Sequence, residues 1–146
     1  MATTAEELGM LVKRAQHRHH RALTAALADL GISLVQWDTL RHLHRQPEAS
    51  LHDLAQLTYQ TDQSFGTLAA RMVDRGLIER VPGPGRAVRH RLTTRGEQLR
   101  AAGEERVRAV LTQSFAGLGE EDLDHLAALL RRVLEQPLSP VSAAPV

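Results

Sequence analysis

Polar side chains between residues 61 and 71 have the types and spacing needed to bind the edges of DNA bases. Phe65, Leu68 and Met72 recur at helical spacing and predict one buried face. The opposite face carries hydroxyl, amide and guanidinium groups, on Thr61, Gln63, Ser64, Thr67 and Arg71. Such groups form hydrogen bonds in the major groove, where each base pair presents a distinct pattern of donors and acceptors. Any solvated helix face is also polar, so a surface without function is the alternative.

A second candidate DNA contact follows in a basic, glycine- and proline-rich segment. Residues 82–86 (PGPGR) cannot be helical and predict the tip of a β-hairpin that presents Arg86. Alternation along the returning strand places Arg89 and Arg91 on one face. An arginine at a hairpin tip can enter a narrow minor groove. Basic strand residues also discourage edge-to-edge aggregation, so a role in solubility is the alternative.

Charge is distributed unevenly along the chain. The net charge is only +1, but residues 62–95 contain seven arginines and three acidic residues. Positive charge gathered in one segment indicates phosphate binding, with a solvated basic surface as the alternative.

Histidine is frequent, with eight among 146 residues, and three lie close together at His17, His19 and His20. His17 and His20 share a helix face, but no cysteine or nearby acidic residue completes a set of metal ligands. We therefore predict that this cluster is not a metal site. The alternative is a protein that responds to a metal ion or haem through these histidines. His19 is in line with Ala15 and Ala22, which predicts a core histidine or a hydrogen-bonding group in a pocket.

The composition excludes several classes of protein. A chain with 42% hydrophobic and 24% charged residues predicts one globular domain. The absence of cysteine excludes a disulfide scaffold, a thiolate metal site and a cysteine nucleophile. No apolar run approaches the roughly 18 residues that span a bilayer, and residues 1–8 lack a signal pattern. We expect a cytoplasmic protein with no membrane partner.

No motif indicates an enzyme or a cofactor. The sequence has no recognisable Ser/His/Asp arrangement, phosphate-binding loop or pair of catalytic acids. Gly83 and Gly85 lie in the predicted hairpin and do not precede a helix, so they form no dinucleotide site. We predict that the protein is not an enzyme.

Apolar periodicity predicts a mainly α fold with a small β-hairpin, of the α+β class. Helix starts are marked by Ser or Thr followed three residues later by an acid or Gln, at Thr4 (or Thr3), Ser33, Ser50 and Thr94. The predicted helices cover about 4–30, 33 to before 47, about eight residues from 50, 62–75, 94 to before 117, and 120–134, with strands over 77–81 and 87–92.

The order of these elements is that of a winged helix-turn-helix, whose second helix of the pair enters the major groove. The first helix and the last two carry Leu/Val/Ala stripes broader than one winged helix needs to cover. Twofold pairing would bury these stripes, so we predict dimerisation helices, with an intramolecular bundle as the alternative.

Four ordered segments resemble the multiple-antibiotic-resistance regulator (MarR) family. They are 31–40 (GIS, then Trp37 and Leu40), Leu54 with Ala55, 75–80 (RGLIER) and 91–96 (RLTTRG). The resemblance covers about 4–134 and implies a homodimeric winged-helix transcription factor, often a repressor, released from a palindromic site by a small ligand. It also implies one domain over 1–135, with dimerisation helices at about 4–30 and 95–135, a winged helix-turn-helix at about 33–92, and a flexible tail over 136–146.

The resemblance assigns the family's wing arginine to Arg86. The family usually has Asp two positions earlier, where this sequence has Pro84, and such an acid orients arginines of the wing and the recognition helix. The wing arginine is expected to enter the minor groove. Because Pro84 replaces the Asp and the loop is short, contact with backbone phosphates only is the alternative.

An effector pocket is also implied by the resemblance, between the first two helices, the dimerisation helices and the DNA-binding lobe. Its predicted residues are His19, Trp37, Asp38 and His44, and its predicted ligand is a small aromatic or phenolic compound. For Trp37 the alternative is a core position, and for Asp38 it is support of a helix N-terminus. The remaining alternative for the whole chain is a winged-helix module that contacts proteins without specific DNA binding.

Overall fold

The computed structural model describes residues 1–82, 85 and 88–140. The described residues form two compact units, which divide between residues 111 and 112. The helices are α1 (Ala5–Ala28), α2 (Leu34–Arg45), α3 (Leu51–Leu57), α4 (Asp62–Asp74), α5 (Thr94–Ser114) and α6 (Glu120–Glu135), and the strands are β1 (Ile78–Val81) and β2 (Arg89–Leu92). The predicted fold class, mainly α with one small hairpin, is confirmed.

Side-chain caps fix where the first helices begin. Glu7 N–H donates to Thr4 Oγ1 at 3.1 Å, and Thr4 N–H donates to the Glu7 carboxylate at 3.0 Å. The same reciprocal capping box is formed by Ser33 with Gln36 and by Ser50 with Asp53. These boxes satisfy N–H groups that have no partner inside the helix. The cap of α1 is thus Thr4 and not Thr3.

The cap of α5 lies one residue before the predicted position. Thr93, not Thr94, accepts the N–H of Gly96 at 3.0 Å through its hydroxyl oxygen. The same hydroxyl lies 2.6 Å from the carbonyl oxygen of Gly76. Because the Thr93 hydroxyl contacts both the start of α5 and the turn after α4, this tertiary contact selects Thr93 over Thr94 as the cap.

The core of the first unit lies beneath α4. Phe65 and Met72 on α4 are fully buried, together with Leu54 of α3 and Leu40 of α2. Leu68 is half-buried against this cluster. The tight turn between α3 and α4 contains Tyr59 with φ 57°, a left-handed conformation that is costly for a non-glycine residue.

The hairpin is attached to the start of α3. Strands β1 and β2 are antiparallel, with Ile78 opposite Leu92. Leu51 N–H donates to the Val88 carbonyl at 3.3 Å, and Ser50 forms an isolated bridge with Arg89. A two-stranded ribbon is marginal by itself, so this contact fixes its position beside the helix-turn-helix.

Close packing joins α5 to α2. The indole N–H of Trp37 donates to the Arg100 carbonyl at 3.1 Å. A Cβ atom on Gly103 would lie 2.3 Å from Cδ1 of Trp37, so only glycine allows this approach.

Two helices expose apolar side chains. On α1, Leu8, Leu11 and Val12 are about half exposed. Helix α6, all of whose residues are described, has no buried residue, and its Leu134 is 83% exposed. Residues 136–140 are not helical. No helix within 1–82 and 88–140 is long and apolar enough to cross a membrane.

Candidate nucleic-acid interface

Helix α4 presents the predicted polar face to solvent. The five side chains predicted to contact DNA are all exposed: Thr61, Gln63, Ser64, Thr67 and Arg71. This orientation follows from the burial of Phe65, Ala69 and Met72 on the other side of the helix. Contact of these side chains with DNA stays a prediction.

The five side chains differ in whether they already form hydrogen bonds within the protein. Thr61 caps the helix, and its Oγ1 accepts Ser64 N–H at 3.1 Å. The Thr67 hydroxyl donates to the Gln63 carbonyl at 3.3 Å. The side chains of Gln63, Ser64 and Arg71 form no hydrogen bond or ion pair with the described residues. They are therefore the groups on this face that can bind bases or phosphates without breaking a contact.

An imidazole–carboxylate pair that the sequence does not predict lies at the start of α4. His52 Nδ1 is 2.8 Å from Asp62 Oδ1, and both side chains are 61% exposed. His52 belongs to α3 and Asp62 is the first residue of α4, so the pair connects the two helices of the helix-turn-helix. Its members are ten residues apart, and no periodicity in the sequence indicates that they meet.

The wing is described in part. Arg86 and Pro84 lie outside the described residues, so the predicted contact of Arg86 stays a prediction. The Arg89 guanidinium donates to the Glu48 carbonyl, and Nη1 lies 3.8 Å from the Glu48 carboxylate. Arg91 pairs with Glu79 on the neighbouring strand at 2.6 Å. Arg89 thus holds β2 to the segment before α3, while its predicted DNA contact is untested.

His90, which lies between Arg89 and Arg91 in the sequence, is buried. It is 3% exposed, and its Nδ1 has no hydrogen-bond partner among the described residues. Burial, and then the positive charge of Arg80 on the paired strand, lower the pKa of His90 below its ordinary value. His90 is therefore neutral in the folded protein near neutral pH.

The four predicted effector residues do not share one cavity. Trp37 and His44 line a cavity of about 470 Å³ against α5, which we call the basic cavity; its other lining residues are Arg41, Arg45, Arg100, Glu104, Val107 and Arg108. Asp38 lines a cavity of about 440 Å³ beside α3, with Arg41, His42, Gln46, Asp53, Gln56, Leu57 and Tyr59. His19, on α1, is half-buried and lines neither. Asp38 instead pairs with Arg41 at 2.7 Å.

The basic cavity combines an aromatic wall with an excess of positive charge. Trp37 is 6% exposed, and the Arg41 guanidinium lies 5.7 Å from its ring centroid. Arg100 pairs with Glu97 at 2.7 Å and with Glu104 at 2.8 Å. These contacts raise the pKa of Arg100 further above its ordinary value, and the hydrogen bond with Glu97 has the largest effect. Arg45 forms no ion pair or hydrogen bond with the described residues, so it is the cation available to an added anion.

The histidines of α1 do not form a metal site with other described residues. Within 1–82, 85 and 88–140, no three His, Asp or Glu side chains are close enough to hold a metal ion.

Comparison with known proteins identifies the family. The model of the MarR family matches residues 30–87. The HTH-type transcriptional repressor Rv2887 of Mycobacterium tuberculosis is 32% identical over 113 residues, which cover 76% of this chain and 81% of the repressor. The chain belongs to the MarR family. The predicted resemblance is confirmed, and MarR-family transcription regulators are generally not enzymes.

Solved MarR-family structures have the same fold. A mutant of E. coli MarR complexed with operator DNA has a TM-score of 0.79 and 23% identity, and the match covers 87% of this chain and 93% of that one. Rv2887 complexed with DNA has a TM-score of 0.71 and 28% identity, covering 86% and 96%. Rv2887 complexed with p-aminosalicylic acid has a TM-score of 0.73 and 28% identity, covering 88% and 98%.

The buried histidine of this MarR-family chain predicts how its stability depends on pH. Because the pKa of His90 is lower in the folded than in the unfolded chain, the stabilisation is complete above pH 6.5 and is lost as the pH falls through the lowered value. In urea titrations, we expect the free energy of unfolding to decrease less from pH 7.5 to pH 5.5 in His90→Leu than in the wild type. His125→Gln, at an exposed position on α6, should keep the wild-type dependence. Equal dependence in wild type and His90→Leu would contradict the assignment.

Proposed function

We propose that the chain is a homodimeric transcriptional repressor that binds a palindromic operator through α4 and is released by a small aromatic acid. The observation that carries the proposal is the exposed face of α4, where Gln63, Ser64 and Arg71 are unengaged while the opposite face is anchored in the core. The relative Rv2887 is a transcriptional repressor whose structure has been solved with DNA, which supports the same activity here.

Binding to DNA uses two kinds of contact. The amide of Gln63 and the hydroxyl of Ser64 lie in the first turn of α4, the part of a recognition helix that reaches base edges. An amide pairs well with adenine, and a hydroxyl with several bases. Arg71 lies two turns later and supplies a guanidinium to a phosphate or a guanine. Sequence specificity thus rests on the first turn, and affinity gains from the arginine.

A homodimer follows from the uncovered apolar faces. Exposed leucines and valines on α1 and α6, such as Leu11 and Leu130, remain in contact with water in a single chain. Contiguous exposed apolar side chains on amphipathic helices indicate a protein interface. A twofold dimer places its two recognition helices about 34 Å apart, one turn of DNA, and requires a palindromic site.

The basic cavity is the proposed effector site. An aromatic acid would place its ring against Trp37 and Val107, and its carboxylate near the unpaired Arg45. The complex of Rv2887 with p-aminosalicylic acid supports this ligand class. A ligand that prefers a dimer with misplaced recognition helices lowers operator affinity, typically by about 1–3 kcal/mol.

Operator binding is tested by selecting duplexes from a random-sequence pool with the wild-type protein and titrating the selected duplex. We expect Arg71→Ala to weaken binding about tenfold or more, because one charge-assisted contact contributes about 1–3 kcal/mol. Arg21→Ala, an exposed position on α1, should bind like the wild type. Failure to select any sequence, with dissociation constants near 10⁻⁴–10⁻⁶ M, roughly the range of non-specific binding, would favour a protein-interaction module.

The dimer is tested by analytical ultracentrifugation. Leu130→Glu places a charge within the apolar face of α6, and we expect it to sediment as a monomer at micromolar concentration. Leu138→Glu is the control, because Leu138 is 96% exposed and lies beyond α6. A monomeric wild type, or a dimeric Leu130→Glu variant, would contradict the proposed interface.

The effector site is tested by calorimetric titration with p-aminosalicylic acid. We expect Arg45→Ala to weaken binding about tenfold, which corresponds to loss of one charged contact of about 1.4 kcal/mol. Arg21→Ala should leave the affinity unchanged, and 3-aminophenol, which lacks the carboxylate, should bind weakly to the wild type. Equal affinity of wild type and Arg45→Ala would place the ligand elsewhere.

A further inference from the structure

The carboxylate of Asp62 lies on the surface of α4 that is proposed to bind DNA. Asp62 is the first residue of α4, directly before Gln63, and its side chain is 61% exposed. A carboxylate at this position stabilises the helix start through the helix dipole. The same carboxylate repels the phosphates of an approaching duplex. Asp62 therefore opposes DNA binding unless its charge is compensated.

His52 on α3 is placed to compensate that charge. Its Nδ1 lies 2.8 Å from Oδ1 and 3.0 Å from Oδ2 of Asp62. Because an ionised carboxylate only accepts hydrogen bonds, Nδ1 carries the hydrogen and donates it. Nε2, the other ring nitrogen, has no hydrogen-bond partner among the described residues. One side of the imidazole is thus fixed by Asp62, and the other side is open to an external group.

Protonation of His52 changes both sides of this contact. With a neutral imidazole, the His52–Asp62 pair carries one negative charge and Nε2 is an acceptor, which a phosphate cannot use. With an imidazolium, the pair is neutral and Nε2 donates a hydrogen, which a phosphate accepts. Histidine is the side chain whose change of charge ordinarily falls between about pH 5 and 8.

We propose that His52 is a further DNA-contact residue, donating to a backbone phosphate, and that operator binding is coupled to its protonation. This inference rests on the proposed function, because it requires α4 to lie at the DNA. The form of the protein that DNA prefers carries one more proton. Linkage then requires operator affinity to increase as the pH falls from 8 to 6.

The other charges near His52 do not replace Asp62. Asp53, the next residue on α3, interacts with the charge of His52 but is held in the capping box with the backbone of Ser50. Arg89 on β2 acts on Asp53 and is itself held at Glu48. Asp62 is the acid in hydrogen-bond contact with the imidazole.

The test measures fluorescence anisotropy of the duplex selected by the wild-type protein, at constant ionic strength and at pH 6, 7 and 8. We expect wild-type affinity to be about tenfold higher at pH 6 than at pH 8, which corresponds to uptake of about half a proton. His52→Gln should lose most of this dependence and bind weakly throughout. His52→Arg, with a permanent charge, should bind at pH 8 about as tightly as the wild type at pH 6. His17→Gln, an exposed histidine on the polar face of α1, should keep the wild-type dependence.

Circular dichroism at each pH verifies folding, because loss of stability through His90 acts in the opposite direction. The same pH dependence in His52→Gln as in wild type overturns the inference, as does a His52→Arg variant that binds at pH 8 no better than His52→Gln. Either result leaves the proposed function intact if the wild type selects a sequence. A wild type that selects no sequence overturns the proposed function itself.

Discussion

Burial of one side of α4 is the constraint on which the candidate interface depends. Phe65, Ala69 and Met72 are nearly or fully inaccessible, and their burial in one core cluster with Leu54 and Leu40 fixes the rotation of the helix about its axis. Rotation by half a turn would expose these side chains at a cost of about 2 kcal/mol for each large one. The polar face has no equivalent internal partners and points outward. Packing of the apolar face of α4 in the core thus orients its polar side chains toward solvent.

Electrostatics then decide how the outward face meets a polyanion. The chain is almost neutral overall, and many of its arginines are already paired: Arg41 with Asp38, Arg91 with Glu79, and Arg100 with Glu97 and Glu104. Such pairs between partly exposed groups contribute little to stability, because water screens them. Their effect is to remove these arginines from the pool of available cations. Arg71 and Arg45 stay available, one on the proposed DNA surface and one in the basic cavity.

Local sequence signals predicted most of the elements. The cap residues Thr4, Ser33 and Ser50, and the apolar spacing of Phe65 and Met72, depend only on residues within one helical turn, and these predictions are confirmed. The first residue of α5, Thr94, is as predicted, but its capping residue is Thr93, because the choice between the two threonines depends on a carbonyl 17 residues away.

The site was less predictable because its contacts join distant segments. The His52–Asp62 pair, and the hydrogen bond from Arg89 to Glu48, exist only once the helices and the hairpin are packed. Two of the predicted effector residues, Trp37 and Asp38, are adjacent in sequence but line different cavities, because successive helical residues point about 100° apart.

Helix α2 is the element through which the two proposed sites can influence each other. Trp37 lines the basic cavity, while Leu40 and Leu43, on the same helix, pack in the core beneath α4. A ligand that shifts α2 relative to α5 must therefore also repack the residues that orient α4, because close-packed cores have few alternative arrangements. Gly103 restricts this shift further, since it holds α5 against Trp37 with no room for a side chain. Coupling through packed side chains of this kind requires no flexible hinge, only a second arrangement of α2 that the ligand binds more tightly.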